Sequence, residues 1–147
     1  MLNEIINGPE FPSNFNIENE KNKFTLYGGE ISEFWKDKTE ISKNQVIDIV
    51  KNNNIDNKDK FLAILFWGVY FSAVKKIPAI NLINYINSDE FNVKFDFATN
   101  YIINSESPLD LLNKFQTNIK IPGISYAYFT KLFFFYRIAN NKDEFLI

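Results

Sequence analysis

The run IPGISYAYFTKLFFFYR, residues 121–137, sets Lys131 among aromatic and aliphatic neighbours downstream of a Pro-Gly pair. An ammonium in such company is costly to desolvate. Its pKa falls, and the neutral amine fraction that a nucleophile needs near pH 7 grows. On a helical projection Lys131 shares a face with Ala127, Tyr128, Phe134 and Phe135, while Thr130 and Arg137 lie together on another. The structural alternative is a lysine that carries its head to water or pairs with a carboxylate such as Asp96 or Asp110. With no histidine and no cysteine in the chain, imidazole and thiolate chemistry, disulfides and Cys-type zinc sites are excluded. Carboxylates, lysines, hydroxyls and tyrosines remain as acids, bases or nucleophiles. No metal or cofactor is expected.

Upstream of Lys131 the pattern reads helix, hairpin, helix. One helix starts at Ser107 and ends near Asn118, and the next begins at Ser125, with Ile119, Ile121 and Ile124 packing between them. Gly123 suits a positive φ that a residue with Cβ resists. The first N–H groups after Ser125, aided by the helix dipole and by Lys120, form a ready anion site, for which a backbone phosphate is a natural ligand. The alternative is an ordinary helical hairpin with a glycine turn. Charge distribution bears on the choice. Residues 1–110 hold 11 lysines against 16 carboxylates, whereas residues 111–142 hold Lys114, Lys120, Lys131, Arg137 and Lys142 with no acid, within a net charge of −2. That segment either faces a polyanion or is a chance acid-free stretch.

The elements that must position these groups read as all-α. Residues 1–30, with Pro9, Pro12 and Gly28-Gly29, lack sustained periodicity and predict an irregular segment of loop and short extended pieces. Residues 31–147 then form the helical part of a single domain. A turn or two is expected over 31–37 with Phe34 and Trp35 folded inward, and a helix follows from an N-cap at Ser42 through Val46, Ile47 and Val50. Asp56 or Asn57 caps the next helix, which the apolar spacing carries from Phe61 to Ala73 as a central element, with Gly68 permitting close packing. Pro78 suits a first helical turn, Ser88 with Asp89 and Glu90 opens another helix, and Ser107-Pro108-Leu109-Asp110 combines an N-cap, Pro at the first position and an acid at the third. A chain of 147 residues, 46% hydrophobic and 17% aromatic, has ample material for one core. The longest apolar run, Phe61 to Phe71, is too short to span a bilayer, and the N-terminus has no basic flank before an apolar stretch. The expected location is cytoplasmic.

The hairpin IPGIS followed by Ala127 resembles the helix-hairpin-helix element of DNA glycosylases, whose turn usually reads hydrophobic-Pro-Gly-hydrophobic-Gly. GISYAYFTKLFFF is similar to the segment of the bacterial 8-oxoguanine DNA glycosylase-like proteins in which a Thr-Lys pair sits in the helix after the hairpin. Phe34-Trp35 and Trp67-Gly68 resemble aromatic landmarks upstream in that group. Two departures stand out. Ser125 occupies the usual second glycine, and the nucleophilic lysine of the better-known members matches Ala127, one turn before Lys131.

The resemblance implies a base-excision glycosylase and abasic-site lyase acting on oxidised purine in double-stranded DNA. Lys131 is then the catalytic amine. Lys120, Gly123, Ser125, Thr130 and Arg137 contact DNA, and Trp35, Trp67 and Tyr128 wall the pocket for a flipped base. The core is the alternative place for both tryptophans. It also implies an assisting Asp after the lysine helix, about where the chain stops, which predicts a C-terminally truncated chain in which Asp143 and Glu144 are either substitutes or solvated tail charges. Two other functions stay open: a non-catalytic helix-hairpin-helix DNA-binding domain, and a helical protein-interaction domain.

Overall fold

The computed structural model describes residues 14–117 and 120–142. In chain order these form β1 (Asn14–Asn16), α1 (Glu18–Leu26), α2 (Glu33–Lys36), β2 (Glu40–Ser42), α3 (Lys43–Lys51), α4 (Asn57–Trp67), α5 (Tyr70–Ala73), α6 (Lys76–Ile86), α7 (Phe91–Asn104), α8 (Pro108–Thr117) and α9 (Tyr126–Ala139). The all-α reading therefore holds. The two strands make a small antiparallel ribbon in which Phe15 faces Ile41.

Local capping sets several of the helix starts. Ser42 Oγ accepts from the Gln45 amide at 3.1 Å while Gln45 Oε1 accepts from the Ser42 amide at 2.8 Å, a reciprocal box that satisfies two donors at once. Asp56 accepts from the Asp59 amide at 2.9 Å to open α4, and Ser107 Oγ accepts from the Asp110 amide at 3.3 Å to open α8. Pro78 falls in the first turn of α6, where its missing N–H is no loss. Ser88 starts a turn rather than a helix: the Phe91 amide donates to its carbonyl at 3.2 Å, and α7 begins at Phe91.

Two expectations need correction. Residues 18–26, read as irregular, form α1. Its inward face is largely charged, so no apolar period announces it. Glu20 and Lys21 are buried beside Phe24. Glu20 accepts from the amides of Phe71 and Ser72, both at 2.8 Å, and from the Ser72 hydroxyl. The Lys21 ammonium donates to the carbonyls of Trp35 at 2.8 Å and Lys38 at 2.6 Å, closing the end of α2. The second correction concerns the helix expected from Phe61 to Ala73, which breaks after Trp67. Val69 adopts the left-handed conformation with φ 51°, uncommon for a β-branched residue, and α5 starts afresh behind it.

Helix α9 is the axis of the packing and lies against α3, α4 and α7. Phe129, Leu132, Phe133, Phe135 and Tyr136 on it are buried, and α8 closes over its start through Phe115, stacked on Phe129 at 4.2 Å. The buried aromatics continue through α4 and α7, where Phe61 meets Phe95 at 4.9 Å and Trp35 meets Phe66 edge-on at 5.0 Å. Two buried polar atoms are unmatched among the described residues, Nε1 of Trp67 and the hydroxyl of Tyr136. A stranded hydroxyl loses its hydration without compensation. Tyr136→Phe is accordingly expected to raise stability by about 1 kcal/mol, measured as a higher urea midpoint at unchanged slope.

Candidate nucleic-acid interface and lysine site

The hairpin between α8 and α9 takes the conformation its sequence dictates. The Ile124 amide donates to the Ile121 carbonyl at 3.2 Å, Pro122 holds the second position of the turn and Gly123 the third, with φ +79°. This is the signature of a type II turn. Ile121 and Ile124 are buried as expected, whereas Ile119 lies outside the described residues. A Cβ on Gly123 would sit 2.3 Å from the Pro78 carbonyl oxygen and 3.1 Å from Leu82 Cβ. Tyr70 donates its hydroxyl to the Gly123 carbonyl at 2.5 Å. One side of the turn is thus clamped onto α5 and α6.

The other side is open. Lys120, Ser125, Tyr126 and Ala127 are exposed, and the amides of Tyr128 and Phe129 are the first to turn back, at 3.2 and 3.0 Å from the Ser125 carbonyl. Ser125 occupies the N-cap in extended conformation, but its side chain makes no capping bond. The first turn of α9 therefore opens in exposed residues, and amides at such a helix start suit an anion.

Lys131 sits one turn inward. It is half-buried, with its aliphatic stem laid over Gly68: a Cβ there would meet Lys131 Cδ at 3.1 Å and Cε at 3.3 Å. The expectation that Gly68 permits close packing is met, and the chain it admits is this lysine. Nζ lies 4.8 Å from the centroid of the Tyr128 ring and makes a long contact of 3.5 Å to the Ala127 carbonyl. It forms no ion pair among the described residues, and burial pulls its pKa below the ordinary lysine value. Asp96 and Asp110, the carboxylates considered as its partners, are engaged elsewhere. Asp96 accepts from Asn57 at 2.9 Å and Asp110 from the Tyr101 hydroxyl at 2.6 Å.

Tyr128 borders the lysine directly. Its hydroxyl donates to the Gly68 carbonyl at 3.2 Å, tying the start of α9 to the end of α4 just before the left-handed Val69. Nothing in the sequence marked that bond, because it joins residues 60 positions apart through a main-chain oxygen. Trp67 is half-buried between the edges of Phe15, at 5.7 Å, and Phe135, at 5.1 Å, and its Nε1 is buried without a partner among the described residues. Thr130 turns its hydroxyl back to the Ala127 carbonyl at 2.7 Å.

Two of the expected site residues are placed elsewhere. Trp35 has no exposed surface, and its Nε1 donates to Asp59 at 3.0 Å, so no face of the indole is open to a base. Arg137 is buried against the end of α7, where Nη1 donates to the carbonyls of Ile102 at 3.0 Å and Ser105 at 2.7 Å. It caps a helix C-terminus, where a cation is favoured, and is not presented to a phosphate. Asp143 and Glu144 lie outside the described residues. Among the described residues no group of three or more carboxylates is placed to hold a metal, and no helix is long and apolar enough to cross a membrane. In comparisons with protein-family models, curated proteins and solved structures, no match to this chain was found.

Proposed function

We propose that the chain is a helix-hairpin-helix DNA-binding domain of the 8-oxoguanine glycosylase type, with Lys131 as the amine that attacks the lesion sugar. One observation carries this reading. The Lys131 amine is partly desolvated, has no ion-pair partner among the described residues, and folds back to within 3.5 Å of the Ala127 carbonyl. Ala127 matches the nucleophile position of the better-known lysine glycosylases. The open amides at the start of α9, with Lys120, take the backbone phosphate and seat the strand; Gly123 shapes the turn. Tyr128, its ring centroid 4.8 Å from Nζ, is the aromatic group nearest to hand for an extruded purine.

In the reaction the lone pair of neutral Nζ forms a bond to C1′ as the glycosidic C–N bond breaks, and the base departs with that electron pair and is protonated. The attached nitrogen gives up a proton, the C1′–O4′ bond opens with that oxygen taking a proton, and an iminium is left; loss of a C2′ proton then expels the 3′ phosphate with the C3′–O bond pair. The lowered pKa of Lys131 raises the reactive amine fraction at neutral pH.

Sodium borohydride reduces such an iminium to a stable secondary amine. Incubating the protein with an 8-oxoguanine duplex and borohydride is expected to give a covalent adduct that is absent in Lys131→Ala. Below the lysine pKa, trapping should rise with pH, levelling off below the ordinary 10.5. Wild-type protein that binds the duplex without an adduct at any pH refutes the amine chemistry.

A second reading, a non-catalytic helix-hairpin-helix DNA-binding domain, draws support from the buried Trp35 and from the lack of a carboxylate paired with Lys131 among the described residues. Salt-dependent duplex binding without trapping is its expected signature.

A further inference from the structure

A groove of about 480 Å³ is lined by residues of α7, the end of α8 and the hairpin. Pro122 forms one end of it, so it is continuous with the turn. Phe97 and Val93 project into it from α7, and both are exposed, at 56% and 75%. Tyr85 closes the opposite wall, and Lys94 and Lys120 stand at its rim. Among the described residues no carboxylate lines it. The neighbouring groove, which shares Phe97, differs in this respect, being lined by Glu106 and Asp110. Lys94 does reach Glu90 at 2.7 Å, but that pair is solvent-exposed, and such pairs exchange readily for a phosphate.

An exposed phenyl face, a second aromatic ring and two ammonium groups, with no acid among the described lining residues, match the needs of an unpaired nucleotide. A base stacks on the ring and its flanking phosphates meet the cations. A basic peptide would find no carboxylate among the described lining residues to receive its charge. We propose that this groove binds a single-stranded nucleic-acid segment next to the hairpin, with a base stacked on Phe97 and its phosphates at Lys94 and Lys120. The inference extends the DNA-binding reading of the hairpin and rests on it only for the adjoining duplex.

The probe is a short fluorescein-labelled oligothymidylate carrying one 5-iododeoxyuridine, titrated against the full chain beside an 8-oxoguanine duplex. Phe97→Ala is expected to weaken single-strand binding on the order of tenfold, the usual effect of removing one stacking ring. Lys94→Gln should lower the slope of log affinity against log salt by about 0.7. Both substitutions are at exposed positions and should leave duplex affinity unchanged. Photo-crosslinking should map to Tyr85 or Phe97. Single-strand affinity that is absent in the wild type or unaltered in Phe97→Ala, or adducts confined to other faces, overturns the proposal. Failure of the hairpin reading looks different: duplex binding is then missing while the single-strand arm still responds to Phe97→Ala.

Discussion

Gly123→Ala is expected to lose about 3 kcal/mol or more of stability, read as a large drop in urea midpoint. Two separate penalties act at this position. A residue with Cβ resists φ +79°, which alone costs about 1 kcal/mol. The added methyl would also sit 2.3 Å from the Pro78 carbonyl oxygen, and a backbone atom at the start of α6 cannot swing aside as a side-chain end can. Relief requires the turn to lift from α6, which strains the bond from the Tyr70 hydroxyl to the Gly123 carbonyl. Buried Ile121 and Ile124 flank the turn and would be drawn outward with it. The substitution should therefore also impair duplex binding at temperatures where the domain is still folded, because the open amides of α9 are aimed by this turn. A Gly123→Ala protein as stable as the wild type would mean that α6 and the hairpin are not locked together.

How far the sequence could be read depended on whether a feature was local. The caps at Ser42, Asp56 and Ser107 were legible because an N-cap and its partner amide lie within three residues of one another. The turn at Pro122-Gly123 was legible for the same reason. Lys131 could be singled out because its neighbours along the helix are apolar, and Gly68 as a place of close packing, but not that the lysine stem fills that place, since Gly68 ends a different helix. What failed was long-range. Arg137 reads as an outward cation on any projection of α9, yet carbonyls at the end of α7, more than 30 residues away, draw it inside. Trp35 offers the same large rigid surface whether it stacks on a ligand or fills a core, and only its bond to Asp59 decides. Helix α1 escaped notice because hydrophobic period is the usual signal, and here charged groups occupy the buried face.

That charged face leads to the second large effect, at Glu20, which is only 1% exposed. Its carboxylate accepts from two backbone amides and one hydroxyl at the start of α5, immediately after the strained Val69. Removing the acceptor in Glu20→Ala leaves buried donors unmatched at a place where the backbone already holds an unfavourable conformation, and about 3 kcal/mol of stability should go. Glu20→Gln keeps the shape but turns an amide N–H₂ toward donors on one side, so it too should be destabilised, by about 1–2 kcal/mol.

The two variants differ from the wild type in pH dependence as well. Burial raises the Glu20 pKa above 4.5, partly offset by the hydrogen bonds to Ser72 and Phe71, and burial together with the nearby Asp56 charge raises that of Asp59 above 3.8. A carboxylate whose folded pKa exceeds its unfolded one binds more protons in the folded state across that interval. Its contribution is therefore full below the unfolded pKa and is lost as pH climbs through the folded value. With no histidine to titrate above them, the wild type should lose stability in chemical denaturation as pH climbs from 4.5, the ordinary value of Glu20, through its raised folded value, apart from changes in overall charge. Substituting Glu20 removes its share of that slope and leaves the part due to Asp59. A wild-type stability that rises with pH over that interval, or a slope unchanged in Glu20→Gln, would mean that the carboxylate is as comfortable ionised in the fold as in water.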